Sequence, residues 1–141
     1  MKNLILFLVC TFLFSADDKA PSQRTRDRDV DIHHIKIDIT VDLEKKSVSG
    51  NVTHTLSALN SSLSEFELDA EDMEIHRVRL NGKDISYNHH GEKVFLSLNK
   101  SISWDDTVKV RLDYTAHPRR GTFFIAPDSV YPGKPWQAWT Q

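Results

Sequence analysis

Seven histidines are the first residues of this chain that could do chemistry. A structural or catalytic zinc ion needs three or four ligands converging on one point. The sequence has no His-Glu-x-x-His, the spacing that sets two ligands on one helix face. His33-His34 and His89-His90 are adjacent pairs, and neighbours on a strand point to opposite faces. They read as exposed strand and turn histidines, and His54, on the apolar face of its segment, as a hydrogen-bonded core histidine. Serine chemistry has no better footing: there is no Gly-x-Ser-x-Gly, and Ser57, Ser61, Ser62 and Ser64 cluster where turns are expected. Asp69, Glu71, Asp72, Glu74, Asp105 and Asp106 fall at expected strand ends and turns, where solvated acids are ordinary and calcium binding is the weaker reading. Five scattered glycines make no phosphate loop. The residues alone give no catalytic residue and no metal ligand.

The single cysteine, Cys10, lies in an opening unlike the rest. Lys2 precedes an apolar run from Leu4 to Phe14, and Ser15-Ala16 precedes acidic residues. Eleven residues are too few to span a bilayer, which takes about 20. Residues 1–16 therefore read as an export signal cleaved near Ala16, giving a periplasmic or secreted chain with no integral membrane segment. A lipoprotein anchored at Cys10 is disfavoured by bulky Val9. Without Cys10 the mature chain has no thiol catalysis, cysteine-ligated metal or disulfide. Residues 17–26, with one Ala and no larger apolar group, read as a flexible leader. Net charge is −2, and the local excess Arg24-Thr-Arg-Asp-Arg28 is broken by Asp27. No basic stripe is present, so nucleic acid is not an expected partner. Residues 27–141 fit one domain.

Strands must position whatever this domain does. Ile35, Ile37, Ile39, Val41 and Leu43 alternate with Lys36, Asp38, Thr40 and Asp42, a period of two that predicts a half-buried strand. Glu44–Ser47 is a turn, and Val48, Gly50, Val52, His54, Leu56 and Ala58 share one face of the return strand. Phe66, Leu68 and Ala70, then Met73 and Ile75, then Val78 and Leu80 continue the pattern. Asn81-Gly82 predicts a two-residue hairpin turn, because both positions tolerate positive φ, with Ile85 and Tyr87 on the return limb. Asn88–Lys93 is the next turn, before Val94, Leu96 and Leu98; a last strand carries Val108, Val110, Leu112 and Tyr114. The expected fold is all-β: an antiparallel sandwich of about eight strands in two packed sheets. From Ala116 the tail holds Pro118, Pro127, Pro132 and Pro135 beside five aromatic residues. That much proline excludes a central strand, and the uncovered aromatics make the chain read as cut short.

Several stretches in order carry a resemblance. Arg26–Ile37 resembles the opening strand of the N-terminal domain of the aminopeptidase-N family of zinc metallopeptidases (gluzincin aminopeptidases). Glu67-Leu-Asp-Ala70, with Met73, Ile75 and Val78 after it, is similar to that domain's central signature. Asp106–Tyr114 is similar to its late strand, and Gly121-Thr-Phe-Phe124 to the Gly-Leu-(Tyr/Phe) segment that follows. Tyr131–Gln141 looks like the lead-in to the family's Thr-Gln step beside the active site. The resemblance implies a saddle-like β-domain followed by a thermolysin-like catalytic domain of the same polypeptide. That second domain would carry the zinc, the His-Glu-x-x-His motif, a distant Glu ligand and the Gly-x-Met-Glu-Asn loop, none of which is in these residues. Zinc is thus expected only in the full-length protein, where it activates water and polarises the scissile carbonyl with a Glu as general base. Gln141 is the one substrate-binding residue the resemblance implies, holding the free α-amino group of a peptide substrate.

Two functions follow as expectations. One is the non-catalytic N-terminal β-domain of an exported zinc aminopeptidase that removes N-terminal residues from peptides. The other is a stand-alone secreted β-sandwich for binding or adhesion, using Trp136 and Trp139. Asn51-Val-Thr53 and Asn60-Ser-Ser62 are glycosylation sites only in a eukaryotic secretory pathway.

Overall fold

The structure is a computed structural model and describes residues 28–141. The export signal assigned to 1–16, with Cys10, and the leader assigned to 17–26 lie outside the described residues. The described residues form ten strands and no helix: β1 Val30–Asp42, β2 Ser47–Ala58, β3 Leu63–Asp69, β4 Met73–Leu80, β5 Lys83–Asp84, β6 Ser86–His90, β7 Lys93–Ile102, β8 Val108–Ala116, β9 Thr122–Ile125 and β10 Gln137–Thr140. All pairings are antiparallel. A five-stranded sheet runs β1-β2-β8-β4-β5, a three-stranded sheet runs β3-β7-β6, and β9 pairs with β10 alone.

The all-β expectation holds, with two corrections. Ten strands in three sheets replace about eight in two. The additions are β5, only two residues long, and the β9–β10 hairpin of the tail, which stands apart from the sandwich where proline is tolerated.

Register explains the core. Across the large sheet, Ile37 faces Val52, Val52 faces Leu112 and Leu112 faces Val78. Ile35, His54, Val110 and Leu80 make the neighbouring row. Because side chains alternate, these rows give one continuous apolar face. The small sheet covers part of it with Leu63, Phe66, Val94, Leu96 and Ile102, which cluster with Leu56, Val78, Val110 and Leu112. The cover stops short of β1. Ile35, Ile37, Ile39 and Val41 are 43–59% exposed, so the predicted half-buried strand is, among the described residues, an edge strand whose apolar row is left largely uncovered.

Turns account for the remaining differences. Asn81 and Gly82 both take positive φ, 51° and 84°, and Leu80 pairs with Lys83 across them, as the Asn-Gly signal requires. The return limb then divides. After β5 the chain crosses at buried Ile85, whose N–H donates to the Val78 carbonyl at 3.1 Å, into the small sheet. The expected six-residue turn at 88–93 shrinks to Gly91-Glu92, because Asn88, His89 and His90 pair with Phe95, Val94 and Lys93. Gly50 lies under β1, where a Cβ would stand 2.1 Å from the Asp38 carbonyl oxygen. Only glycine allows the two strands so close.

Candidate functional site

The tail hairpin places the residue singled out for substrate binding. β9 and β10 join Thr122 to Thr140 and Phe123 to Trp139. Directly opposed aromatics on one face of a ladder can stack. Phe123 and Trp139 do so with centroids 4.4 Å apart and planes 20° from parallel. The connecting loop has an internal brace: Asp128 Oδ1 accepts from the Val130 and Tyr131 N–H groups at 2.9 and 2.8 Å. Gln141 follows β10, and its backbone N–H donates to the Gly121 carbonyl at 3.2 Å. Its side chain is exposed. The backbone is therefore held while the amide is presented outward, able to accept a hydrogen bond from an ammonium group and to donate one elsewhere.

The hairpin is moored to the sandwich through Asp72. That residue sits in the β3–β4 turn at φ 56°. Its carbonyl accepts from the His117 N–H at 2.9 Å, and Arg119 Nε donates to Oδ1 at 2.7 Å. Asp72 thus anchors a neighbouring loop, where an idle solvated acid was expected. Asp106 likewise braces its own turn. It accepts from the Ser103 N–H and hydroxyl at 2.8 and 3.0 Å, and these bonds hold its carboxyl below the usual range.

The second feature is a groove of about 330 Å³ where the small sheet stops covering the large one. Ile35, Ile37, Val52, Leu68, Ile75 and Leu112 line it, with His54, Asp69 and Tyr114 as polar members. Here the reading of His54 as a hydrogen-bonded core residue fails. Its Nδ1 is buried with no hydrogen-bond partner among the described residues, and its cross-strand neighbours Ile35 and Val110 are apolar. Burial pushes the His54 pKa down and the Tyr114 pKa up. The sequence showed each apolar row but not where the covering sheet ends, so the groove had no signal of its own.

The other histidines are dispersed. A register shift between Ile32 and His34 lets His33 Nε2 meet the Ser57 hydroxyl at 3.0 Å. Ser57 is therefore a buried strand residue and does not belong to a turn. His76 meets the Thr115 hydroxyl at 2.9 Å, and His89 meets the Ala70 carbonyl at 3.2 Å. Among the described residues no three His, Cys, Asp or Glu side chains converge as metal ligands. The described residues therefore do not fit a zinc ion.

No family model matches the chain. It is 25% identical over 105 residues to leukotriene A-4 hydrolase of Xenopus laevis, covering 70% of this chain and 17% of that protein. The crystal structure of an M1 zinc metallopeptidase from Deinococcus radiodurans matches 67% of this chain and 22% of its own, at 23% identity and a TM-score of 0.55. Yeast LTA4 hydrolase in complex with bestatin matches 83% of this chain and 21% of its own, at 17% identity and a TM-score of 0.62. The resemblance carried by the motifs is thus present in the fold as well. The chain spans about a fifth of the length of the relatives it matches.

Proposed function

We propose that this chain is the non-catalytic N-terminal β-domain of an exported zinc aminopeptidase of the M1 kind, acting on the free N-termini of peptides. The observation that carries the reading is the coincidence of fold and motif order: a β-domain like part of known zinc metallopeptidases leads to Thr140-Gln141 on a braced hairpin. The lysine-led apolar run before Ala16 supports export. In this reading the zinc and the residues that activate water belong to a catalytic domain of the same polypeptide.

The contribution of this domain is positioning. Gln141 lends a neutral acceptor to the substrate ammonium, so no second charge is desolvated at the cleft. The stacked Phe123–Trp139 pair and the Asp72–Arg119 mooring fix the direction from which the amide arrives. Such a domain orients substrate without touching the scissile bond.

The test uses the longer polypeptide that carries this chain. It should release the chromophore from an aminoacyl anilide but not from an N-acetylated one, and zinc chelation should abolish the reaction. Equal hydrolysis of both anilides, or no hydrolysis with zinc bound, refutes the proposal.

A further inference from the structure

The two edges of the large sheet are unlike. One ends in β5, two residues long, which offers a second strand nothing to pair with. The other is β1, thirteen residues long and, among the described residues, paired only with β2. Native sheets blunt long edges with proline, bulges, short strands or charged side chains. β1 has no proline, and its one register shift lies near its start, between Ile32 and His34. From His34 to Asp42 the pairing with β2 is continuous, so the outer edge is regular over the same length. Ile35, Ile37, Ile39 and Val41 stand exposed on one face of it. Lys36 and Asp38 stand on the other, 3.0 Å apart and largely exposed.

The centre of this edge, Ile35-Lys36-Ile37-Asp38-Ile39, is complementary to its own reverse. In an antiparallel pair centred on Ile37, Lys36 faces Asp38 of a second copy, and Asp38 faces its Lys36. On the apolar face Ile35 meets Ile39, Ile37 meets Ile37 and Ile39 meets Ile35. A register centred between two residues, such as Asp38 and Ile39, sets apolar against polar side chains. Centring on Lys36 puts two lysines opposite one another, and centring on Asp38 puts two aspartates opposite. Like charges directly opposed destabilise a strand pair. Centring on Ile39 leaves Asp38 against Thr40 and turns Lys36 toward Asp42, a carboxylate that Lys45 already engages at 3.3 Å. The Ile37-centred register is the one that satisfies both faces and leaves neither Lys36 nor Asp38 without an opposite charge.

We infer that β1 is a self-association edge, through which two copies of this chain join antiparallel about Ile37 into one continuous sheet. The contact is isologous, as a two-fold dimer requires. Backbone groups along the edge gain partners, and each lysine gains a second carboxylate. The apolar rows of the two copies become contiguous, which lessens the exposure of the isoleucines at the junction. The inference stands apart from the proposed peptidase role, since it rests on the edge alone.

Charge exchange in the full chain tests the register. Sedimentation equilibrium of the unaltered chain should show a concentration-dependent dimer. Lys36→Asp and Asp38→Lys should each weaken it by about 10- to 100-fold, since each variant opposes like charges twice. Mixing the two variants should restore dimers, because both opposed pairs are again of opposite sign; so should the double exchange K36D/D38K within one chain. Circular dichroism identical to the unaltered chain establishes that the variants fold, since both positions are on the surface. A chain that stays monomeric, single variants that dimerise undiminished, or a double exchange that does not re-form dimers overturns the inference.

Discussion

Gly50→Ala should be among the most damaging small substitutions in this domain. The added Cβ would lie 2.1 Å from the Asp38 carbonyl oxygen and 2.9 Å from the Ile39 Cα, both backbone atoms of β1. No rotamer change relieves a clash with backbone, so β1 must move outward by roughly an ångström to restore ordinary contact. Overpacking of this kind costs about 1–3 kcal/mol. The displaced strand also weakens one or two ladder hydrogen bonds at Asp38 and Ile39, each about 1 kcal/mol. Because the edge can relax into solvent, the two costs do not add fully, and the expected loss is about 2–3 kcal/mol. Gly133→Ala is the control, since a Cβ there meets nothing within 4 Å and no positive φ is involved. Urea titration followed by far-ultraviolet circular dichroism measures both variants. A loss below about 0.5 kcal/mol for Gly50→Ala, equal to the control, would refute the close approach on which the β1–β2 register rests.

Replacing His54 by Leu should flatten the stability profile on the acid side. Burial lowers the folded pKa, so the unfolded chain binds the proton first, near its ordinary value of about 6.5. Stability is full above that pH and declines as pH falls through the folded pKa; the measurement is unaltered-minus-variant stability between about pH 7.5 and 5, and a constant difference contradicts it. Asp113→Asn should cost about 1 kcal/mol near neutral pH, because Arg79 and Arg111 both donate to that carboxylate, at 2.6 and 2.9 Å. Burial alone would raise this carboxyl, but the two arginines hold it below the usual range. The contribution is therefore present above about pH 4 and lost as pH falls through the folded value, which acid titration of both proteins checks. Trp139→Ala should erase much of the near-ultraviolet circular dichroism of the Phe123 stack while lowering global stability by less than about 1.5 kcal/mol, since the hairpin stands off the core.

The strands were legible because period-two alternation is a local property. Ile35 to Val41, Val48 to Ala58 and Val108 to Tyr114 all lie where their patterns put them, and Asn81-Gly82 turns as its φ tolerance requires. What escaped is non-local. Nothing in Ile35-Lys36-Ile37 says that the small sheet stops short of this strand, so half burial was expected where exposure is found. The chain's passage between sheets at Ile85 and the short turn at Gly91-Glu92 depend on which strand waits beyond. The fate of His54 follows from its neighbours, since its position on an apolar face is equally consistent with a bonded or an orphaned ring. Proline density in the tail argued correctly against a central strand, yet Thr122–Ile125 and Gln137–Thr140 contain no proline and were free to pair. Gln141 was singled out through resemblance alone, because an exposed amide after a short strand has no physical signature of function.

The most direct measurement is kcat/KM of Gln141→Ala in the longer polypeptide, using aminoacyl anilides and monitoring bound zinc in the same preparations. Loss of a hydrogen bond to a charged ammonium is worth about 1–3 kcal/mol, so the account predicts a fall of roughly five- to 150-fold with zinc content unchanged. An unchanged kcat/KM, or a fall that merely tracks lost zinc, would contradict the proposed role of this domain in holding the substrate N-terminus.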